Sequence, residues 1–242
     1  MSSTDPYFAV NPSFGADVMY VGVDREPVLI IDDLLSDPEV MLRCAESGAA
    51  FLKDEHDFYP GIRKPLSMAY AESVHRHLHA LFLDTFGAGA QGEISPLSCL
   101  LSLATTRQEH LRPIQSVPHF DTYDGAHIAG VHYLCSEELG GTSFYRHRST
   151  GFETMTAQRI AAYAPRLKEE VMALRTRDFT YIRGDTALFE RTASVPAKFN
   201  RAIYYRSKVL HSGDIPANIA TPADPRRGRL TANTLALIGP RI

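Results

Sequence analysis

The chain of 242 residues is 44% hydrophobic and 22% charged, with a formal net charge of -3. This composition supplies enough apolar material for a core, and the weak negative charge argues against nucleic acid or an acidic membrane as a partner. The sequence has no long apolar run, and its first residues lack the basic and apolar regions of a secretion signal. The three cysteines form no CxxC pair, which is typical of a reduced protein, so we expect a cytoplasmic location.

The first part of the chain, residues 1–96, is predicted to mix strands and helices. After a polar arm over 1–18, Val- and Ile-rich segments predict strands, and segments with helical periodicity follow. Ser36 is the expected N-cap of the first helix, with Pro38 in its first turn, and Gly87 should end the second. The predicted elements are strands over 18–23 and 27–35, a helix over 36–51, a loop over 59–65 and a helix over 67–87.

From residue 97 the pattern changes to short segments rich in aromatic and β-branched residues, punctuated by Gly, Pro, Asn and Asp. Many short strands at this spacing favour a sandwich or a barrel. The predicted strands are 97–106, 127–135, 142–148, 178–183, 185–190, 200–205, 208–213 and 228–238.

One helical segment, 150–176, interrupts these strands, and Pro165 should break or kink it. We therefore predict a single domain over 1–242 that is mainly β with helices (α+β). Its N-terminal helices should pack on one face of a β-core over 97–238, and 150–176 should be a helical insertion. Because this insertion follows a hairpin, we expect it to form a lid or a substrate wall.

Candidate metal ligands stand in the stretch "PHFD", where His119 and Asp121 are two residues apart just before a predicted strand. Side chains at i and i+2 of an extended segment project to the same side. Two histidines and one carboxylate on one face of an octahedron are the donor set of non-haem Fe(II) oxygenases, with three positions left open. The pair alone is a weak motif, because short motifs often match by chance and His119 and Asp121 could simply cap a turn.

The residues downstream strengthen the metal interpretation. The segment "HYLCSEELGGTSFYRH" reads as strand, Gly140-Gly141 turn and strand, and "GDTALF" follows later in the chain. His211 ends the predicted strand in "KVLHSG", and Arg229 begins the last one in "RLTANTLAL". Over about residues 97–238 this order resembles the 2-oxoglutarate and Fe(II)-dependent dioxygenases, particularly the prolyl-hydroxylase-like branch.

The resemblance implies a double-stranded β-helix (jelly-roll) core and a set of site residues. His119, Asp121 and His211 would be the ligands of Fe(II), which with 2-oxoglutarate and O2 would hydroxylate a substrate. Arg229 would pair with the distal carboxylate of 2-oxoglutarate, and Tyr133 would donate a hydrogen bond to the same carboxylate. Halogenating relatives lack the carboxylate ligand, so Asp121 favours hydroxylation or another oxidation over halogenation.

One departure from the family pattern leaves the arginine open. The segment "DIPANIATPADPRRG" lengthens the gap after His211, so Arg226, Arg227 and the more distant Arg201 compete with Arg229. The alternation of "RLTANTLAL" favours Arg229, because it would aim Arg229, Thr231 and Asn233 at one face.

Other features leave the substrate undecided. His75 and His79 lie one helical turn apart without a nearby carboxylate or cysteine, which is typical of a polar helix face. His127, His132 and His147 could line a substrate pocket or face solvent. Relatives act on peptides, amino acids, small metabolites and nucleic acids, of which the charge disfavours nucleic acid. The alternatives to a hydroxylase are a non-catalytic jelly-roll protein that binds a metal or ligand, and a cupin-like metalloenzyme that does not use 2-oxoglutarate.

Overall fold

The computed structural model describes residues 6–54, 58–87, 92–174, 179–216 and 222–240. In these ranges the strands are β1 (Gly15–Val21), β2 (Glu26–Asp32), β3 (Gly61–Pro65), β4 (Gly92–Ala104), β5 (His127–Tyr133), β6 (Thr142–His147), β7 (Phe189–Val195), β8 (Arg201–Arg206), β9 (His211–Gly213) and β10 (Arg229–Pro240). The α-helices are α1 (Glu39–Glu46), α2 (Met68–His77), α3 (His79–Phe86) and α4 (Ala157–Ala173). No helix in this part of the chain is both long and apolar enough to cross a membrane.

Two antiparallel sheets carry the fold within the described ranges. The larger has the strand order β1-β2-β8-β5-β10-β4-β3, and the smaller has the order β7-β6-β9. One buried apolar cluster joins their facing sides, with Val28, Ile203 and Tyr205 from the larger sheet and Phe144 and Val195 from the smaller. Sheets that face each other in this way bury alternate residues of each strand between them, so the strands supply an inward row of side chains.

The opposite side of the larger sheet packs against helical residues. Leu29, Leu101 and Tyr204 of the sheet belong to the same buried cluster as Tyr70 of α2 and Phe82 of α3. The rings of Phe82 and Tyr204 meet edge to face, with centroids 4.8 Å apart, an arrangement that aromatic pairs favour. The larger sheet is therefore covered on both sides along its middle strands.

Several predicted boundaries are wrong in the N-terminal part. Ser36 is not the N-cap of the first helix, because α1 begins at Glu39 with Pro38 at the cap and ends at Glu46. The segment 59–65 contains β3, an edge strand that pairs with β4, so it is not simply a loop. The predicted helix over 67–87 is interrupted at Leu78, although Gly87 ends it in the left-handed conformation as expected.

Near the helical insertion, the predicted strands include residues that are not in strands. The described residues of 178–183 are not in a strand, and the segment predicted over 185–190 becomes a strand only at Phe189. The helix α4 starts at Ala157, after the N-cap Thr156, and continues through Pro165 without a break. The start of the predicted arm (1–5), the end of the insertion (175–176) and residue 178 lie outside the described residues.

A buried polar network ties α2 to the larger sheet. The Tyr70 hydroxyl lies 2.9 Å from Nδ1 of His132, and Nε2 of His132 lies 3.2 Å from Oδ1 of Asn200. Asn200 in turn donates from its amide nitrogen to the Leu35 carbonyl and accepts from the Leu35 N–H. Burial lowers the pKa of His132 to about 4, against a smaller opposing effect of the Asn200 hydrogen bond. The folded protein therefore holds this imidazole neutral.

The low pKa of His132 predicts acid destabilisation. Because the folded pKa lies below that of an unfolded histidine, the neutral ring stabilises the fold above pH 6.5, and this contribution is lost as the pH falls toward 4. We expect His132→Gln, which removes the titration, to reduce the loss of unfolding free energy between pH 7.5 and pH 5 by about 2 kcal/mol relative to wild type. Urea unfolding at the two pH values measures this difference, and an unchanged pH dependence would contradict the prediction.

Candidate active site

Backbone pairing brings the three candidate ligands together. His119 and His211 form an isolated antiparallel bridge, in which each N–H donates to the carbonyl of the other at 2.9 and 2.8 Å. The Asp121 N–H donates to the Ser207 carbonyl at 2.9 Å. Residues 92 positions apart in the chain, His119 and His211, are thus fixed side by side by main-chain hydrogen bonds.

The side chains converge through the distal nitrogens of both rings. Nε2 of His119 lies 3.8 Å from one oxygen of Asp121, and Nε2 of His211 lies 3.9 Å from the other. One potential ligand atom from each of the three residues falls within 4.8 Å of the others. Nδ1 of His211 lies 2.9 Å from the Val209 carbonyl; a proton on Nδ1 donates there, which leaves Nε2 with its lone pair. This is the tautomer that a metal requires.

The surroundings favour uncharged imidazole at His119. Burial in the protein, followed by the repulsion of the His211 ring, lowers the pKa of His119 to about 4, although Asp121 opposes the shift. Half of the His119 side chain is nevertheless accessible, because it faces an internal cavity rather than packed core. His211 is buried, and its ring packs edge to face on Tyr205 at 4.7 Å. A neutral imidazole at the edge of a cavity, such as that of His119, suits metal coordination.

A cavity of about 620 Å³ opens in front of these three residues. Arg229 lines it and is buried, with Nε donating to the Gly140 carbonyl at 3.1 Å and Nη2 to the Gly141 carbonyl at 2.8 Å. Gly140 has a positive φ of 84°, which an L side chain rarely adopts. The Gly140-Gly141 turn therefore presents its carbonyls to Arg229 and fixes the guanidinium at the cavity wall.

The structure separates the four competing arginines. Of these, only Arg229 lines the cavity. Arg201 forms an ion pair with Asp32, and Arg226 is exposed and paired with Glu39 and Glu46. Arg227 is exposed as well.

Tyr133 lies behind the cavity wall. Its side chain is fully buried, and its hydroxyl donates to Oγ1 of Thr142 at 2.7 Å. Thr142 lines the cavity, whereas Tyr133 is not among the lining residues that are described. A contact between Tyr133 and a cosubstrate stays a prediction, and the geometry shown runs from Tyr133 to Thr142.

The helical insertion supplies one wall of the cavity. Tyr163 and Leu167 of α4 line it, together with Phe120 from between the two ligands of the "PHFD" stretch. His147 of β6 is fully buried, and its Nε2 lies 2.7 Å from Glu170 of α4. This polar contact and an apolar cluster that includes Tyr163 and Phe189 hold α4 against the smaller sheet.

Four other histidines that the sequence analysis singled out lie elsewhere. His75 is buried and packs on Phe82, and Nε2 of His79 lies 3.1 Å from the Gly92 carbonyl. Nδ1 of His127 lies 3.3 Å from Asp124, and His132 belongs to the network with Tyr70 described above. These four are not among the described residues that line the cavity.

Sequence reasoning missed the part of the site that β3 contributes. Tyr59 and Arg63 line the cavity, and the Arg63 guanidinium lies 4.2 Å from the centre of the Tyr59 ring. The two prolines of the segment 59–65 suggest a loop, but prolines are tolerated at the start and end of an edge strand. The strand has only five residues, Gly61–Pro65, and shows no alternation of apolar and polar residues that could have predicted it.

Solved structures show distant similarity. HygX from Streptomyces hygroscopicus, crystallised with nickel, 2-oxoglutarate and hygromycin B, is 13% identical, with 90% of this chain and 84% of HygX covered and a TM-score of 0.49. SnoN, a non-heme alpha ketoglutarate dependent epimerase from nogalamycin biosynthesis, is 13% identical, with 88% and 78% covered and a TM-score of 0.47. An N-substituted L-amino acid dioxygenase from Burkholderia ambifaria is 9% identical, with 93% and 94% covered and a TM-score of 0.38. Because these TM-scores are below 0.5, we infer the chemistry of the site from its own side chains and not from these similarities.

Sequence comparison adds a family but no activity. A model of a family of unknown function, DUF6445, matches residues 12–236. No protein of curated function matches the chain significantly.

The convergence of the three side chains predicts the effect of removing one. We expect His211→Ala and His119→Ala each to weaken Fe(II) binding by at least about 100-fold, because two remaining donors hold a divalent ion poorly. His79→Ala is the matched control, since that ring lies on α3 and contacts the Gly92 carbonyl. Anaerobic titration calorimetry with Fe(II) measures the affinities. Equal affinity in His211→Ala and His79→Ala would remove His211 from the site.

Proposed function

The chain belongs to DUF6445, a family of unknown function, and we propose that it is an Fe(II)- and 2-oxoglutarate-dependent oxygenase that hydroxylates a small organic substrate. One observation carries the proposal: two imidazoles and one carboxylate converge at the edge of a cavity that also holds a buried arginine. The three donors suit iron, and the arginine suits a dicarboxylate cosubstrate.

The donor set fits a catalytic rather than a structural ion. His119, Asp121 and His211 would hold the metal, and three ligands from one side leave positions open for a cosubstrate. Bound there, iron with 2-oxoglutarate and O2 supplies oxidative decarboxylation coupled to hydroxylation, in which R–H, 2-oxoglutarate and O2 give R–OH, succinate and CO2. The chain's own contribution is to orient the reactants and exclude water.

Arg229 and Thr142 are the residues proposed to hold 2-oxoglutarate. The two carbonyl contacts of Arg229 use Nε and Nη2, so its remaining N–H donors are left for a carboxylate at the cavity wall. Thr142 accepts a hydrogen bond from Tyr133 and so keeps its own hydroxyl hydrogen to donate into the cavity. Tyr133 would then contribute by positioning Thr142.

The size and composition of the cavity favour a small molecule as substrate. Its volume of about 620 Å³ lies within the range typical of small-molecule sites.

Two facing antiparallel sheets support a double-stranded β-helix as the fold, and the prolyl-hydroxylase-like branch stays a proposal from the sequence motifs alone. A cytoplasmic location is likewise proposed from the composition.

The arginine assignment yields a sharp comparison. We expect Arg229→Gln to weaken 2-oxoglutarate binding by at least about tenfold, because it removes a charge-assisted pair with the carboxylate. Arg226→Gln, which loses only surface ion pairs with Glu39 and Glu46, should bind 2-oxoglutarate as wild type does. Anaerobic titration of Fe(II)-loaded protein, followed by its visible charge-transfer band, measures the affinities.

Turnover separates an oxygenase from its alternatives. We expect wild type with Fe(II), 2-oxoglutarate and O2 to form succinate slowly without substrate. A protein that binds 2-oxoglutarate but forms no succinate would be a binding protein rather than an enzyme. A protein that binds Fe(II) but not 2-oxoglutarate would contradict the proposal and favour a cupin-like metalloenzyme.

A further inference from the structure

We propose that the substrate is a small carboxylate with an apolar body, whose carboxylate is bound by Arg63 and Asn233 and whose body packs on α4. This inference rests on the proposed function, since it names the substrate class of the same cavity. It starts from two groups of cavity-lining residues. Arg63, Arg229 and Asn233 of the larger sheet are called the polar wall, and the apolar wall is formed by Val117, Phe120, Tyr163 and Leu167.

Arg63 supplies a positive charge on the polar wall. Arg63 pairs with Ser102 on β4, and Ser102 pairs with Thr231 on β10. Arg63 and Thr231 therefore belong to one row of residues that runs across the three strands. Its guanidinium stacks over the Tyr59 ring at 4.2 Å. Stacking holds the plane of the guanidinium, while the N–H bonds lie in that plane and point outward at its edge. A guanidinium held in this way is suited to the planar carboxylate group.

Asn233 adds neutral donors on the same wall. Oγ1 of Thr231 donates to Oδ1 of Asn233 at 2.9 Å, and the Asn233 side chain lines the cavity. Because that contact uses the amide oxygen, the two N–H donors of Nδ2 are what Asn233 offers to a ligand. A carboxylate oxygen accepts hydrogen bonds from these neutral donors as well, although the charge-assisted bonds from the guanidinium are stronger.

The positions of Arg63 and Arg229 allow two carboxylates to bind at once. Arg63 lies on β3 and Arg229 on β10, with β4 between them. Neighbouring strands are about 4.8 Å apart, so the β3 and β10 backbones are separated by about 10 Å. Arg229 and Asn233 lie on β10 two residues to either side of Thr231, about 13 Å apart along the strand. A carboxylate held by Arg63 with Asn233 is therefore distant from one held by Arg229. Arg229, next to the Gly140-Gly141 turn, would take the cosubstrate, which leaves Arg63 to select the substrate.

The opposite wall is apolar. Tyr163 and Leu167 of α4 lie there with Val117 and Phe120. In the chain, Val117 precedes His119 by two residues, and Phe120 separates His119 from Asp121. An apolar body packed on this wall gains the hydrophobic effect while its carboxylate reaches the polar wall. A fully polar substrate, such as a free sugar, would place polar groups against these apolar side chains and would gain no hydrophobic stabilisation there.

Binding of two matched probes tests the proposal. 3-Phenylpropionate and its neutral analogue 3-phenylpropanamide are titrated calorimetrically into protein held anaerobically with Ni(II) and saturating 2-oxoglutarate, so that the Arg229 position is filled. We expect wild type to bind the carboxylate at least about tenfold more tightly than the amide. Absence of carboxylate binding, or equal affinity for the two probes, would overturn the proposal.

Variants assign the preference to Arg63. Arg63→Gln should abolish the preference for the carboxylate, Arg63→Lys should retain part of it because the charge remains, and Asn233→Leu should weaken it. Arg107→Gln, which removes an exposed arginine outside the cavity, is the control and should behave as wild type. A preference that survives in Arg63→Gln contradicts the proposal.

Titrations with 2-oxoglutarate distinguish a wrong substrate assignment from a wrong oxygenase proposal. If wild type binds 2-oxoglutarate and Arg63→Gln does not, Arg63 is the cosubstrate residue and the substrate assignment is wrong. If wild type binds no 2-oxoglutarate, the oxygenase proposal fails, and the probe titration with Ni(II) alone still decides whether Arg63 selects carboxylates.

Discussion

The pair of main-chain hydrogen bonds between His119 and His211 is the constraint on which the candidate site depends. It joins the segment before β5 to β9 of the smaller sheet, so two distant parts of the chain meet at a fixed spacing. Main-chain pairing sets the positions of Cα and Cβ before any side chain rotates. The imidazoles therefore stand side by side without help from a metal, and Asp121, anchored by its own N–H on Ser207, completes the set.

Much of this arrangement could be predicted from sequence because it depends on local pattern. The alternation of "HIAGVHYL" and "RLTANTLAL" indicated β5 and β10, and the helical periodicity indicated α2, α3 and α4. The spacing of His119 and Asp121 was sufficient to suggest a shared side. Arg229 could be preferred over its neighbours because alternation decides which side chains share a face, and the structure places it at the cavity.

What could not be predicted depends on contacts between distant segments. The strand β3 is too short to show a period, and it exists because β4 offers it a partner. The apolar pattern predicts one helix over 67–87, whereas Leu78 separates α2 from α3. The hydroxyl of Tyr133 turns toward Thr142, a choice that only the packing of β5 against β6 determines. The cavity itself arises from segments that are far apart in the chain, and so does the presence of both Arg63 and Asn233 in its lining.

The placement of α4 separates the residues proposed to contact the substrate from those proposed to bind the metal and the cosubstrate. The proposed metal and cosubstrate residues lie on the sheets and on the segment before β5, whereas Tyr163 and Leu167 belong to a helix inserted between the paired strands β6 and β7. That helix is held through the buried contact of His147 with Glu170, the ion pair of Arg159 with Asp24, and an apolar cluster. Sequence change on the cavity side of α4 can thus alter which molecule fits while leaving the reacting centre intact. Within this architecture, new substrates are accessible to natural variation or to engineering through a single segment of 17 residues.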